Sequence, residues 1–232
     1  MKVLIACEES QTICKAFRER GHEAYSCDIK KCSGGHRGWH IMQDALAVIN
    51  GGEMKLETKK HVIIDRWDLI IAHPPCTYLS KVATRFHSIK LSPQNWIVAR
   101  TISRIAAMDF FMRLAAADCD RIAIENPVGI MSTCYRIPDQ VIHPYMFASG
   151  VDDKENYCMK MTCLWLKGLP PLRIPDNAPP PPDNEKMFGK SPNGKNRTWE
   201  DTVSREAEVR SKTFPGIANA MADQWGSLDD MR

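Results

Sequence analysis

A cysteine stands just past a buried-type run, in His73-Pro74-Pro75-Cys76. The preceding Leu69-Ile70-Ile71-Ala72 is continuously apolar, as a central parallel strand is. The prolines stop that strand and stiffen the turn. A thiol so placed faces a cleft, and a nucleophilic thiol needs partial exposure and a setting that favours thiolate. A second junction carries a carboxylate, where Ile122-Ala123-Ile124 runs into Glu125-Asn126-Pro127. A carboxyl there can act as a general acid if burial raises its pKa. Singly, each residue also fits a plainer role: Cys76 as a turn residue, Glu125 as a helix cap or surface charge. Two more junctions complete the set. Val3-Leu4-Ile5-Ala6 leads into Cys7-Glu8-Glu9-Ser10, and the segment Glu23 to Cys27 leads into Asp28-Ile29.

The elements that must position these groups follow from local pattern. Lys2 to Ala6 reads as a strand. Ser10 can cap a helix to Arg20 that Gly21 ends, and Glu23 to Cys27 reads as the second strand of a βαβ unit. Cys32 to Trp39 is a loop bearing glycine and histidine. Asp44 to Arg66 holds a helix-like segment and a polar connection. Ser92-Pro93 is a helix start. Ala99, Ile102, Ala106, Phe110, Leu114 and Ala117 then recur as one buried stripe. Thr162 to Leu166 reads as a further strand. Leu169 to Asp183 is Pro-rich and extended. Arg205 to Trp225 returns to the core, broken at Phe214-Pro215-Gly216 and closing in a short helix. Alternating strands and helices imply an α/β fold, with a mostly parallel sheet and helices on both faces. In such sheets ligands bind beyond the carboxyl ends of the strands, so the four junctions share one rim.

The 232 residues suit one large α/β domain or two small ones. A hydrophobic share of 44% with 25% charged residues excludes a disordered, collagen-like or rod-like chain. No run approaches the ~20 apolar residues of a membrane span, and MKVLIACEES is no secretory signal. A formal charge of +3 is too small to argue for nucleic acid by itself. The nine cysteines are scattered and odd in number, so reduced thiols and a cytoplasmic location are expected.

The ordered motifs resemble those of the cytosine-C5 DNA methyltransferases, in a short, phage-type branch. Asp68 to Ser80 is similar to the family's catalytic strand, Pro-Cys, three residues, Ser. Glu125-Asn126-Pro127-Val128 resembles its Glu-Asn-Val motif, and Phe214 to Met221 its last motif. The resemblance covers most of the chain. It implies a Rossmann-like class I methyltransferase fold with S-adenosyl-L-methionine as cofactor. Cys76 would attack C6 of cytosine while Glu125 acts at N3, and C5 would take the methyl group. Cys7, Glu8, Ser10, Asp28, Ile29, Asp44, His73, Pro74 and Asn219 would line the cofactor. Asp28 would hold the ribose hydroxyls and Asp44 the adenine amino group. Pro75, Ser80, Asn126, Pro127, Lys160 and Arg197 would face the substrate.

The implied organisation is a catalytic core over residues 1–168, a reduced target-recognition region over 169–204, and a C-terminal return over 205–232. Lys186, Lys190, Lys195, Arg197 and Arg205, with Phe188 and Trp199 between them, suit phosphate and base contacts; a solvated linker explains them equally. DNA is the expected partner, with a homodimer or an accessory recognition partner to supply specificity. The first motif departs from the family's Gly-rich turn, since Ala6 to Gln11 has no glycine. Cys27, Cys32, His36 and His40 have zinc-ligand chemistry without a standard finger spacing. No metal is expected, and a loop over the cofactor or substrate pocket is the preferred reading of that segment. His73 and Cys76 argue against amino-group methylation. Two rival functions stay open: the same chemistry on RNA or a free pyrimidine nucleotide, and a silent binding relative.

Overall fold

The computed structural model describes residues 1–87, 93–197, 199 and 212–228. A seven-stranded sheet runs in the order β3-β2-β1-β6-β7-β9-β8. Its strands are β1 (Lys2–Ala6), β2 (Glu23–Cys27), β3 (His40–Ile41), β6 (Leu69–Ala72), β7 (Ile122–Pro127), β8 (Gln140–Ile142) and β9 (Thr162–Lys167). The first five of these pair in parallel. β9 is antiparallel to both β7 and β8. This is the expected Rossmann-like, mostly parallel α/β sheet. The order reverses between β1 and β6, which opens a crevice at their carboxyl ends.

Strand alternation feeds two cores. Val3, Ile5, Leu69 and Ile71 face one side, with α1 (Thr12–Glu19) and α6 (Pro215–Gly226) packed over them. Leu4, Ala6, Ile70 and Ala72 face the other, under Phe111 and Leu114 of α3 (Gln94–Ala115). All eight of these strand side chains are fully buried. The larger ones each contribute about 1.5–3 kcal/mol. Trp225, also fully buried, closes the first core and donates to Pro170 O at 3.0 Å.

Several local expectations are corrected. Asp44 to Arg66 is not helical beyond a single turn at Ala45–Ala47; it forms a hairpin of β4 (Gly52–Lys55) and β5 (His61–Ile64). The β-branched run Val62-Ile63-Ile64 favours that outcome, as do the positive φ values of Gly51 and Gly52. β7 runs on through Glu125 and Asn126 to Pro127, because antiparallel β9 continues to pair there. The stripe on α3 is buried only at its carboxyl end: Leu114 is covered, whereas Ile102 is 64% exposed. The start expected at Ser92 lies outside the described residues, as does Arg205; α3 begins after Pro93. Pro215 opens α6, where a missing N–H costs nothing, so the closing helix starts at the expected break; residues 205–211 of the return segment lie outside the described residues. The short helices α2 (Lys81–Thr84), α4 (Met131–Cys134) and α5 (Asn184–Phe188) complete the α-helices among the described residues.

Candidate functional site at the carboxyl rim

The first turn is built without glycine, and two side-chain-bearing residues take the left-handed conformation instead. Cys7 has φ 61° and Gln11 φ 59°. Such backbone costs an L-residue roughly 1–2 kcal/mol, so something must hold it. Glu8 does so from within. Its carboxylate, 4% exposed, accepts from Ile13 N at 2.7 Å and Cys14 N at 3.3 Å. It thereby caps α1, the role expected of Ser10; Ser10 Oγ instead meets Thr12 Oγ1 at 3.2 Å. Burial pushes the Glu8 carboxyl up, and His73 and the two backbone donors only partly offset it.

Gln11 pins the neighbouring loop. Its Nε2 donates to Ser26 Oγ and His36 O, and its Oε1 accepts from Cys32 Sγ and His36 N. Gly34 is so close to Ser10 and Gln11 that a Cβ there would strike the Ser10 carbonyl. The Cys32–Trp39 loop thus closes on the first turn, with His36 stacked on Trp39 at 3.8 Å. The four residues weighed for zinc are engaged elsewhere. Cys27 Sγ donates to Gln43 O, and His40 uses both ring nitrogens, on Ser26 and Lys30. Among the described residues no cluster of His, Cys, Asp or Glu could hold a metal ion.

Asp28 and Asp44 reach this rim together. Their charges, after burial and alongside Cys27, raise the Cys7 thiol well above its ordinary value. Each spends one carboxylate oxygen on its own turn, Asp28 on Lys30 N and Asp44 on Leu46 N, both at 2.9 Å. Ile29 stands 76% exposed beside Asp28. Two acceptors and an exposed apolar side chain fit a polar ligand with an apolar face, as an adenosine has. Asn219 is placed differently: it accepts from Arg20 Nη1 at 3.3 Å, past the carboxyl end of α1.

The thiol and acid loops are stitched to each other. Leu79 and Ser80 both donate their N–H to Cys76 O, which makes a tight turn with Pro75, Cys76 and Thr77 exposed. Asn126 Nδ2 donates to Pro74 O at 2.6 Å. Lys81 N donates to Val128 O and Ile130 N to Leu79 O, and Ser80 bridges to Gly129. Gly129 is required by that contact, since a Cβ would run into the Leu79 carbonyl. No pattern in the sequence marks Gly129 or Gln11 in advance; both matter through partners distant along the chain.

His73 joins the two halves. Its Nδ1 meets Glu125 Oε2 at 2.7 Å, with the side chains 11% and 14% exposed. Its Nε2 is buried without a hydrogen-bond partner among the described residues. It also acts electrostatically on Glu8. Glu8, His73 and Glu125 thus line the ends of the adjacent strands β1, β6 and β7. The condition set for Glu125 as a general acid, a carboxyl raised by burial, is not met by burial alone. Burial does push it up, but the His73 hydrogen bond outweighs this together with the charges of His73 and Lys160, and holds the carboxyl below its usual range. Lys160 therefore lies near the acid, its ammonium 5.7 Å from the Trp199 ring and 5.4 Å from Phe214. Pro127 closes β7 opposite Thr162. Arg197 belongs to a separate turn in which Lys190 bridges Asn196.

The concavity with a volume of about 430 Å³ lies elsewhere, at Lys2, Glu23, Arg66 and Asp68, on the amino-end side of the sheet. It gathers no convergent reactive groups, and ligands of open α/β sheets bind at the opposite edge.

No family model and no curated protein matches the sequence. Among solved structures, the fold is similar to that of a presumed DNA modification methyltransferase encoded within an E. coli prophage. The two share 14% identity at a TM-score of 0.45, over 83% of this chain and 56% of that one. The chain thus spans little more than half of that protein's length. No helix among the described residues is long and apolar enough to cross a membrane.

Proposed function

We propose that the protein is an S-adenosyl-L-methionine-dependent DNA methyltransferase acting at cytosine C5 through Cys76. One observation carries this reading: an exposed thiol in a rigid turn, hydrogen-bonded into the loop that bears a buried carboxylate, at the switch point of a parallel sheet. Asp28, Asp44 and Ile29 fit the adenosine of the cofactor, which when bound supplies a methyl group on a sulfonium.

Cys76 thiolate adds to C6 of a flipped-out cytosine, and the electron pair of the C5–C6 bond is displaced toward N3. A proton is needed at N3 to neutralise that charge. Glu125 stands at that edge, hydrogen-bonded to His73 at 2.7 Å, and a proton taken up from solvent by the His73–Glu125 pair passes through the carboxyl to N3. Lys160 adds positive potential at the same edge. C5 takes the methyl group and then loses its proton to a water molecule as the Cys76–C6 bond breaks; the N3 proton returns to Glu125 and the thiolate is restored. The Pro-rich and basic stretch over residues 169–204 serves as the reduced target-recognition region.

The test is transfer of labelled methyl to duplex DNA, single-stranded DNA, RNA and free nucleotides, in wild type and Cys76→Ala. Label at C5 in DNA that the variant loses supports the reading. Label confined to RNA or nucleotides replaces the substrate. Cofactor binding with no label anywhere would leave a binding protein.

A further inference from the structure

The strongest feature that this mechanism does not use is a cluster of cations and rings behind the Cys76 turn. Arg100 and Arg104 sit one turn apart on α3, so they share a face. The Arg100 guanidinium lies 5.1 Å from Tyr78, 5.1 Å from Phe86 and 4.9 Å from Trp96, ring centre to carbon. Phe86 and Trp96 themselves meet edge to face at 5.6 Å. Arg104 Nε donates to Tyr78 O at 3.0 Å, and Thr101 Oγ1 meets His87 Nδ1 at 3.4 Å. The aromatic box fixes the plane of the Arg100 guanidinium and the bond to Tyr78 O orients that of Arg104, and a fixed fork is what bidentate anion binding requires.

Arg100 Nε, Arg104 Nη2 and His87 Nε2 are buried with no hydrogen-bond partner among the described residues. No described carboxylate lies within ion-pair distance of either arginine. Burial, then the neighbouring Arg100 charge, pushes Arg104 below its ordinary value, and burial and both arginines do the same to His87. Partly buried like charges without a counter-charge are costly, and an incoming anion removes that cost. Tyr78, which joins both arginines, is two residues from Cys76.

We propose that Arg100 and Arg104 form a clamp for one backbone phosphodiester of a polynucleotide, next to the nucleotide whose base reaches Cys76. This rests on the nucleic-acid reading above and adds a contact that the sequence motifs do not assign. The phosphate takes the open edges of both guanidiniums, while the rings hold Arg100 and the Tyr78 carbonyl holds Arg104 from behind.

The test is binding of labelled duplex and single-stranded DNA to the full chain across a salt series. Wild type, R100Q/R104Q and R113Q are compared; Arg113 is an exposed residue further along the same helix. R100Q/R104Q should bind DNA roughly tenfold more weakly, and its salt slope should fall by about 0.9, the value for one phosphate. R113Q should leave the slope unchanged, and all three proteins should bind S-adenosylhomocysteine equally. R100K/R104K keeps the charges without the fork, so the slope should return while affinity recovers only in part. A wild-type slope in R100Q/R104Q overturns the clamp. Loss of cytidine monophosphate binding with DNA binding untouched overturns the polynucleotide as its ligand. Failure of wild type to bind any DNA overturns both the clamp and the DNA reading.

Discussion

The two turns that flank the switch point solve one problem in opposite ways. The Cys76 turn is rigid through chain chemistry: two prolines, the missing side chain of Gly129 that lets the facing loop lie against Leu79, and backbone bonds between the two loops. The Cys7–Gln11 turn has neither glycine nor proline. It keeps Cys7 and Gln11 left-handed because the buried Glu8 carboxylate and the Gln11 amide hold the surrounding backbone. One side is therefore stiff through covalent geometry and close approach, the other through polar groups sealed from water. The second arrangement brings ionisable groups into the cleft, which a glycine turn does not.

Substitutions can break this contrast. The largest effect belongs to Cys76→Ser: transfer should fall by about a thousandfold or more, with cofactor binding intact. Asp28→Ala should do the reverse, weakening cofactor binding by roughly tenfold, or about 1.4 kcal/mol, as calorimetry would read it; an unchanged affinity would remove Asp28 from the site. Gly129→Ala drives a methyl group into the Leu79 carbonyl. It should cost about 1–3 kcal/mol in denaturant unfolding, and equal stability would show that the loops are not locked together.

The two carboxylates should differ in sign. Glu8 is raised in the folded state, so its ionisation costs stability as pH rises through the ordinary carboxylate value of about 4.3. Glu8→Gln should therefore gain on wild type as pH goes up. Glu125 is lowered, so its contribution is present above the ordinary value and is lost as pH falls through the folded one. Glu125→Gln should be most destabilising near neutrality and least in acid. Unfolding midpoints over a pH series read both, and parallel curves would refute the contrast. The smallest effect is Cys7→Gly, which frees a left-handed residue. The relief of roughly 1–2 kcal/mol is offset by glycine's entropic cost of roughly 0.5–1 kcal/mol, so the net gain should be about 1 kcal/mol in denaturant unfolding.

Much of this was legible along the chain because burial and periodicity are local signals. The runs at Leu4, Ile70 and Ala123 are apolar enough to be central strands, and the residues after them had to reach one rim. The α3 stripe was misread for a related reason. Its spacing is helical throughout, but spacing does not tell whether a partner covers the face, and Ile102 has none among the described residues. The hairpin at residues 52–64 was missed because Gly51 and Gly52 decide it, through φ values that only the folded backbone displays.

The sequence by itself determined the strands β1, β2, β6, β7 and β9, the helix α1 between the first two, the exposed thiol after β6 and the carboxylate on β7. Each follows from near neighbours in the chain. Only the tertiary structure decided the protonation of that carboxylate. Burial alone would have raised it, but His73, 52 residues away in the chain, lies against it at 2.7 Å. A hydrogen bond formed out of water, with positive charge nearby, outweighs the cost of burial, and such a contact depends on which strands end side by side.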